Sequence, residues 1–235
     1  MQRGIIDELG DVENIELYVE YMDTKRTPPE LLFPHLAGIY AEKYKDVALD
    51  VILTTDDNAF NFALGTRAVL FSNAPIVFCG VNNYLPERLQ GNPDVTGVVE
   101  SVDFLGGTAL LLKLFPKTKT IAVISDVTPT GDLHKKQYEQ EVMSVLADRV
   151  NFKKLYRLTV EQLKTELAKL PEDSVVFNLT FWRDPTGRSL THSESNSLIA
   201  KASPAPVFTA WDHTLSYGLL GGVVTNGYGQ GKTAA

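Results

Sequence analysis

Short apolar runs alternate with longer amphipathic stretches along almost the whole chain. The segment "NIELYVEYM" (14–22) sets Ile15, Leu17, Val19 and Tyr21 against Glu16, Tyr18 and Glu20, the two-residue period of a half-exposed strand at a sheet edge. Thr27-Pro28-Pro29-Glu30 then opens a helix, with Thr27 as cap, Pro28 in the first turn and Glu30 completing a capping box. "ALDVILTTD" (48–56) is mostly apolar, as a strand covered on both faces must be. Asp56-Asp57-Asn58 caps the helix after it, and "APIVFCGVNN" (74–83) and "VTGVVES" (95–101) read as further strands.

The second half repeats this rhythm. Strands are expected at "TIAVISD" (120–126), "FKKLYRL" (152–158), "SVVFNLTF" (174–181) and "APVFTAWD" (205–212). Helices lie between them, opened by Thr159-Val160-Glu161-Gln162 and by Thr191 with Glu194, both capping boxes. Strand and helix alternating at this spacing predict an α/β fold of βαβ units on parallel sheets. The rhythm breaks near 101–105 and restarts after Pro116, so two small sheets joined by a hinge are expected in place of one wide sheet. The chain opens on a helical "RGIIDEL" with no strand before it and stops a few residues into a new helix. It is therefore expected to be a fragment, truncated at both ends and lacking a first strand and the last elements.

Composition narrows the function. With 22 Lys and Arg against 29 Asp and Glu the formal charge is −7, which argues against nucleic acid or an anionic membrane as main partner. Cys79 is the only cysteine, which excludes an internal disulfide and a multi-cysteine metal cluster. No run approaches the ~20 apolar residues of a membrane span, and Met1-Gln2-Arg3 leads into polar residues and not a signal-peptide core.

In open α/β sheets, ligands meet the loops past the carboxyl ends of the strands. Here those loops are polar: Thr54 to Asn58, Gly80 to Asn83, Glu100 to Asp103, Asp126 to Gly131, Thr180 to Asp184 and Ala210 to His213. Hydroxyls and backbone N–H groups at helix starts suit a carboxylate or other anion. Aspartates suit an amine, and Phe181, Trp182 and Trp211 could wall an apolar or aromatic group. Asp56, Asp57 and Asp126 also stand where helix caps belong, so each has a structural reading of equal standing. His35, His134, His192 and His213 lack metal-ligand spacing, no Gly-x-Ser-x-Gly elbow occurs, and Cys79 sits inside an apolar strand. Adjacent Asp212 and His213 point different ways if on a strand end, so they make a weak acid–base pair. No catalytic residue, metal site or cofactor is assigned. The tail "TNGYGQGKTAA" (225–235) fails both phosphate-binding patterns by one position: a Walker loop needs glycine where Asn226 stands, and Gly-x-Gly-x-x-Gly needs it at Lys232.

Four stretches, "DVILTTDDNAFNF", "PIVFCGVNN", "VTGVVESVDFLGG…LKLFPKTKTIAVISDVTPTG" and "GGVVTNGYGQGKTAA", together resemble the ABC-transporter substrate-binding-protein family, whose members adopt the type I periplasmic-binding fold. They are most similar to the version used as extracytoplasmic sensor domain of bacterial histidine kinases and diguanylate cyclases. The resemblance implies two Rossmann-like lobes, 1–102 with 224–235 and 103–223, that close on a small ligand between them. It places the first crossover at 101–104 and the second at 221–225, with a helix opening near Gln230. The chain departs from the family in lacking the first strand and the last helices. Within this frame the expected ligand contacts are Asp56, Asn58, Asn82 and Ser101 from the first lobe. The second is expected to supply Asp126, Thr130, Trp182, Trp211 and Asp212. The expected role is non-catalytic sensing of an amino acid, small carboxylate or aromatic metabolite, coupled to a membrane-tethered signalling module, with homodimerisation a family expectation. The alternatives are a binding protein feeding an ABC permease and a cytosolic α/β enzyme.

Overall fold

The computed structural model describes residues 1–24, 26–82, 84–89 and 91–235, with Arg88 described by its backbone alone. Asn83, counted above with the 74–83 strand and its loop, lies outside the described residues. The fold is α/β, with parallel strands in two separate sheets. The chain divides into two compact units, Met1–Ser101 with Gly227–Ala235, and Val102–Asn226.

The first unit carries helices α1 (Gln2–Leu9), α2 (Pro29–Lys43) and α3 (Asp57–Leu70) and strands β1 (Ile52–Thr55), β2 (Ile76–Val81) and β3 (Val95–Val99). Its sheet has the order β1-β2-β3. Phe60 and Ala63 of α3 pack on Ile76, Phe78 and Val95 of the sheet. On its other flank α3 presents Phe62 to Leu36 and Tyr40 of α2. Burying four aromatic rings between these helices and strands explains why α3 reads as apolar around most of its girth. Arg67 of α3, 7% exposed, donates to Asn92 Oδ1 and pairs with Asp94, fixing the approach to β3.

In the second unit come α4 (Phe104–Leu114), β4 (Thr120–Ser125), α5 (Pro129–Tyr138) with its π-helical continuation Glu139–Met143, and the single turn α6 (Ser144–Leu146). Then follow β5 (Asn151–Tyr156), α7 (Val160–Ala168), β6 (Ser174–Asn178), α8 (His192–Ala202) and β7 (Val207–Thr209), in the sheet order β5-β4-β6-β7. Ile121 and Val123 of β4 face one core with Val175 and Phe177 of β6, against Leu111, Leu112 and Tyr138. Ala122, Ile124 and Val176 face the opposite core with Leu163, Leu167 and Ile199 of the covering helices. Both faces are dry, so these strands are continuously apolar and do not alternate. The chain closes with α9 (Gly227–Ala234), which belongs to the first unit.

Four local expectations are corrected. Residues 15–22 form no strand. Glu20 is engaged by Lys43 and Tyr44 and Tyr18 packs edge-on against Tyr44, while Ile15, Leu17 and Val19 stay exposed. The helix after Thr27 is capped at Pro28 with no side-chain cap bond, so the Thr27 box does not form. Thr128, and not Asp126, caps α5. The last helix opens at Gly227, three residues before Gln230. The boxes at Thr159 and Gln162 and at Thr191 and Glu194 form as expected.

Candidate functional site

Each unit gathers its polar loops past the carboxyl ends of its strands. In the first unit β1 runs into Asp56, whose backbone N–H donates to the Cys79 carbonyl at 3.0 Å and whose φ of +81° is rare for a residue with a Cβ. Its carboxylate accepts from the Asp57 N–H at 2.7 Å, at the start of α3. Asp57 reaches across to the end of β2, accepting from both the backbone and the side-chain amide of Asn82 at 3.1 Å. Asn58 donates to Thr24 Oγ1 at 2.9 Å, and Ser101 lies exposed beyond β3.

β2 is irregular where it nears this rim. Its register to β3 shifts between Cys79 and Val81, and Gly80 adopts φ +66°, a conformation glycine takes without strain. The Gly80 N–H turns to the Gln230 side-chain oxygen at 3.0 Å, and the Gln230 amide nitrogen donates to Glu100 at 3.2 Å. Cys79 is fully buried behind this rim, and burial pushes its thiol up to about 11. Such a thiol stays protonated and unreactive at neutral pH.

In the second unit, Asp126 directly follows β4 and is 1% exposed. One carboxylate oxygen accepts from the Thr128 N–H at 2.9 Å and hydroxyl at 2.6 Å, and the other from the Trp182 N–H at 2.6 Å. The side chain thus joins the loop after β4 to the loop after β6. Thr130 lies half-buried in the first turn of α5. Asp184 closes the loop after β6, accepting from the backbone N–H groups of Val160, Thr186 and Arg188. Burial alone would raise its pKa, but these donors and the Thr186 hydroxyl outweigh burial and hold the carboxyl below the usual aspartate value.

Two aromatic arrays stand at the same sheet end. Trp182 stacks on His192 with centroids 4.8 Å apart and planes at 25°, and His192 in turn meets His213 at 4.9 Å. Trp211 packs against His134 at 5.0 Å and edge-on to buried Phe104 at 6.2 Å. Asp212 and His213 sit in a 3-10 turn, not on a strand, with carboxylate and imidazole 3.9 Å apart, too far for a hydrogen bond. Partial burial lowers the His213 pKa and the Asp212 carboxylate opposes it, but the side chain is 44% exposed and water screens the effect.

Of the nine expected contacts, Asp56, Asn58, Asn82 and Ser101 fall on the strand-end rim of the first unit. The other five, Asp126, Thr130, Trp182, Trp211 and Asp212, fall on that of the second. Sequence reasoning missed Asp57 and Gln230 as organisers of the first rim and His134 and His192 as ring partners in the second. Gln230 and His134 lie far along the chain from Gly80 and Trp211, and although Asp57 and His192 stand near Asp56 and Trp182, spacing gives no signal of which groups they meet. Among the described residues no group of three or more His, Cys, Asp or Glu is placed to hold a metal ion, and no helix is long and apolar enough to cross a membrane.

No family model and no curated protein matches the chain by sequence. Solved structures do match. A conserved domain protein from Vibrio cholerae is 18% identical with a TM-score of 0.66, over 99% of this chain and 76% of that one. A ligand-free, open substrate-binding protein with adhesive properties from Clostridium difficile is 19% identical with a TM-score of 0.64, over 99% and 78%. An ABC domain in complex with L-Trp from Streptococcus pneumonia is 15% identical with a TM-score of 0.60, over 99% and 75%. At these identities the likeness is one of fold: this chain shares the α/β architecture of these structures, with its parallel strands in two sets.

Proposed function

We propose that this chain binds a small solute without converting it, as an extracytoplasmic sensor domain of a signalling protein. The observation that carries this reading is the composition of each unit's strand-end rim: the first offers amides, hydroxyls and carboxylates, and the second a carboxylate, hydroxyls and two tryptophans packed on histidines. Such a surface suits a molecule with an amine, a carboxylate and a flat apolar part. An amino acid or an aromatic metabolite has those groups, and one protein of the same fold was solved with L-Trp. Asn58, Asn82, Ser101, Thr130, Trp182, Trp211 and Asp212 are assigned to ligand contact. Asp56 and Asp126 shape the loops that carry them. Ligand would stabilise one conformation over another, and only a difference in affinity between the two could carry a signal.

A binding protein serving an ABC permease is the second reading, favoured by the fold shared with a substrate-binding protein. A kinase or cyclase module in the same polypeptide supports the sensor, and genetic coupling to a permease supports the transporter. Thermal-shift screening of the free amino acids, small carboxylates and aromatic metabolites tests what both readings share. A stabiliser that saturates is the expected result, and a panel without one would remove the main support.

A further inference from the structure

The glycine-rich tail has no phosphate-binding pattern, yet it carries a side chain that reaches the first unit's strand ends. α9 lies directly on α1. A Cβ built on Gly231 would overlap the Met1 carbonyl oxygen, and one on Gly4 would overlap the Tyr228 carbonyl oxygen. Only glycine lets the two backbones approach so closely. Lys232 pairs with Glu8 at 3.0 Å, and the Tyr228 hydroxyl donates to Asp7 at 3.2 Å, on the flanks of the same contact. From this seat Gln230 uses both ends of its amide: the oxygen accepts from the Gly80 N–H after β2, and the nitrogen donates to Glu100 after β3.

We propose that Gln230 is a positioning residue for the binding site, setting the backbone at Gly80 and the Glu100 carboxylate so that the neighbouring Asn82 and Ser101 face the solute. This rests on the solute-binding reading given above. The amide is the right group because it is a donor and an acceptor at once. A carboxylate there would keep the bond from Gly80 but set a second negative charge against Glu100. A methionine of similar shape would lose both bonds. α9 begins at the residue after Asn226, where the chain re-enters the first unit, so Gln230 links that re-entry point to the rim.

The test uses the full chain with four variants: Gln230→Met, Gln230→Glu, Glu100→Gln and the double exchange Q230E/E100Q. Amide hydrogen exchange followed by NMR reads Gly80 and Asn82 directly, and calorimetric titration with L-tryptophan reads the site. Losing a hydrogen bond worth about 1 kcal/mol corresponds to roughly fivefold, so the Gly80 amide should exchange about fivefold faster in Gln230→Met. The Asn82 resonances should shift with it. Gln230→Glu alone should also disturb Asn82, and the double exchange should restore it, because donor and acceptor are again paired across the contact. A merely structural role would show no such rescue. Unchanged Gly80 exchange in Gln230→Met, or a double exchange no better than Gln230→Glu, overturns the proposal. If the unaltered chain ignores L-tryptophan, that counts against an aromatic amino acid as solute, and the exchange data alone decide on Gln230. If it binds L-tryptophan and Gln230→Met binds it equally well, the proposal fails while the solute-binding reading stands.

Discussion

The Asp126 carboxylate accepts the backbone N–H of Trp182 at 2.6 Å, tying the end of β4 to the loop after β6 across 56 positions of sequence. The same carboxylate holds Thr128, which caps α5. One buried charge therefore fixes the start of a helix and the backbone that carries a proposed ligand-wall tryptophan. Replacing Asp126 with Ala strands three donors in a buried place. At about 1 kcal/mol net for each bond, Asp126→Ala should lower stability by roughly 3 kcal/mol. Urea unfolding of the variant checks the magnitude. Emission from Trp182, isolated by a Trp211→Phe background, should show that indole more mobile and more exposed to water.

The seat of α9 on α1 gives a prediction opposite to the usual one. Alanine in place of glycine within a helix normally gains about 1 kcal/mol from reduced backbone freedom. That gain is expected at Gly38 of α2, where an added Cβ would meet nothing within 4 Å. At Gly231 and Gly4 the added methyl runs into a backbone carbonyl of the other helix, and overpacking of that kind costs about 1–3 kcal/mol. Thermal unfolding should rank Gly38→Ala above the unaltered chain and both Gly4→Ala and Gly231→Ala below it.

Asp184 sets an acid limit on the second unit. Its folded pKa lies below that of an unfolded aspartate, about 3.9. Its contribution is therefore complete above the unfolded value and disappears as pH falls through the folded one. Stability measured by urea unfolding between pH 6 and pH 3 should drop at the acid end, and Asp184→Asn should flatten that drop while weakening the chain near neutrality. An equal slope in both proteins would show that Asp184 takes no part in it.

The units differ in how far their residues announced them. Val175, Val176 and Phe177 of β6 are apolar in succession because both faces of the second sheet are covered, a signal that needs no knowledge of the partners. The capping boxes at Thr159 and Thr191 are equally local, each closing within three residues. The stretch 14–22 misled because alternation reports two unlike faces and not a ladder. One face is used by Lys43 and Tyr44 at the end of α2, the other is exposed, and among the described residues no neighbouring strand completes a pair. Strand ends located the rims, since the end of an apolar run can be read directly. Gln230 could not be read that way, because its bond from Gly80 spans 150 positions and no spacing rule reaches so far.

The central claim is that a small solute binds the strand-end rims and leaves unchanged. Calorimetric titration of the full chain with L-tryptophan, the other free amino acids, small carboxylates and aromatic metabolites, with mass spectrometry of the recovered solute, tests it most directly. The account predicts one saturable site, a solute recovered intact, and affinity reduced at least about tenfold by Trp182→Ala or Trp211→Ala, the loss of one aromatic contact worth about 1.5 kcal/mol. A panel with no saturable binder, or a solute recovered chemically altered, would contradict it.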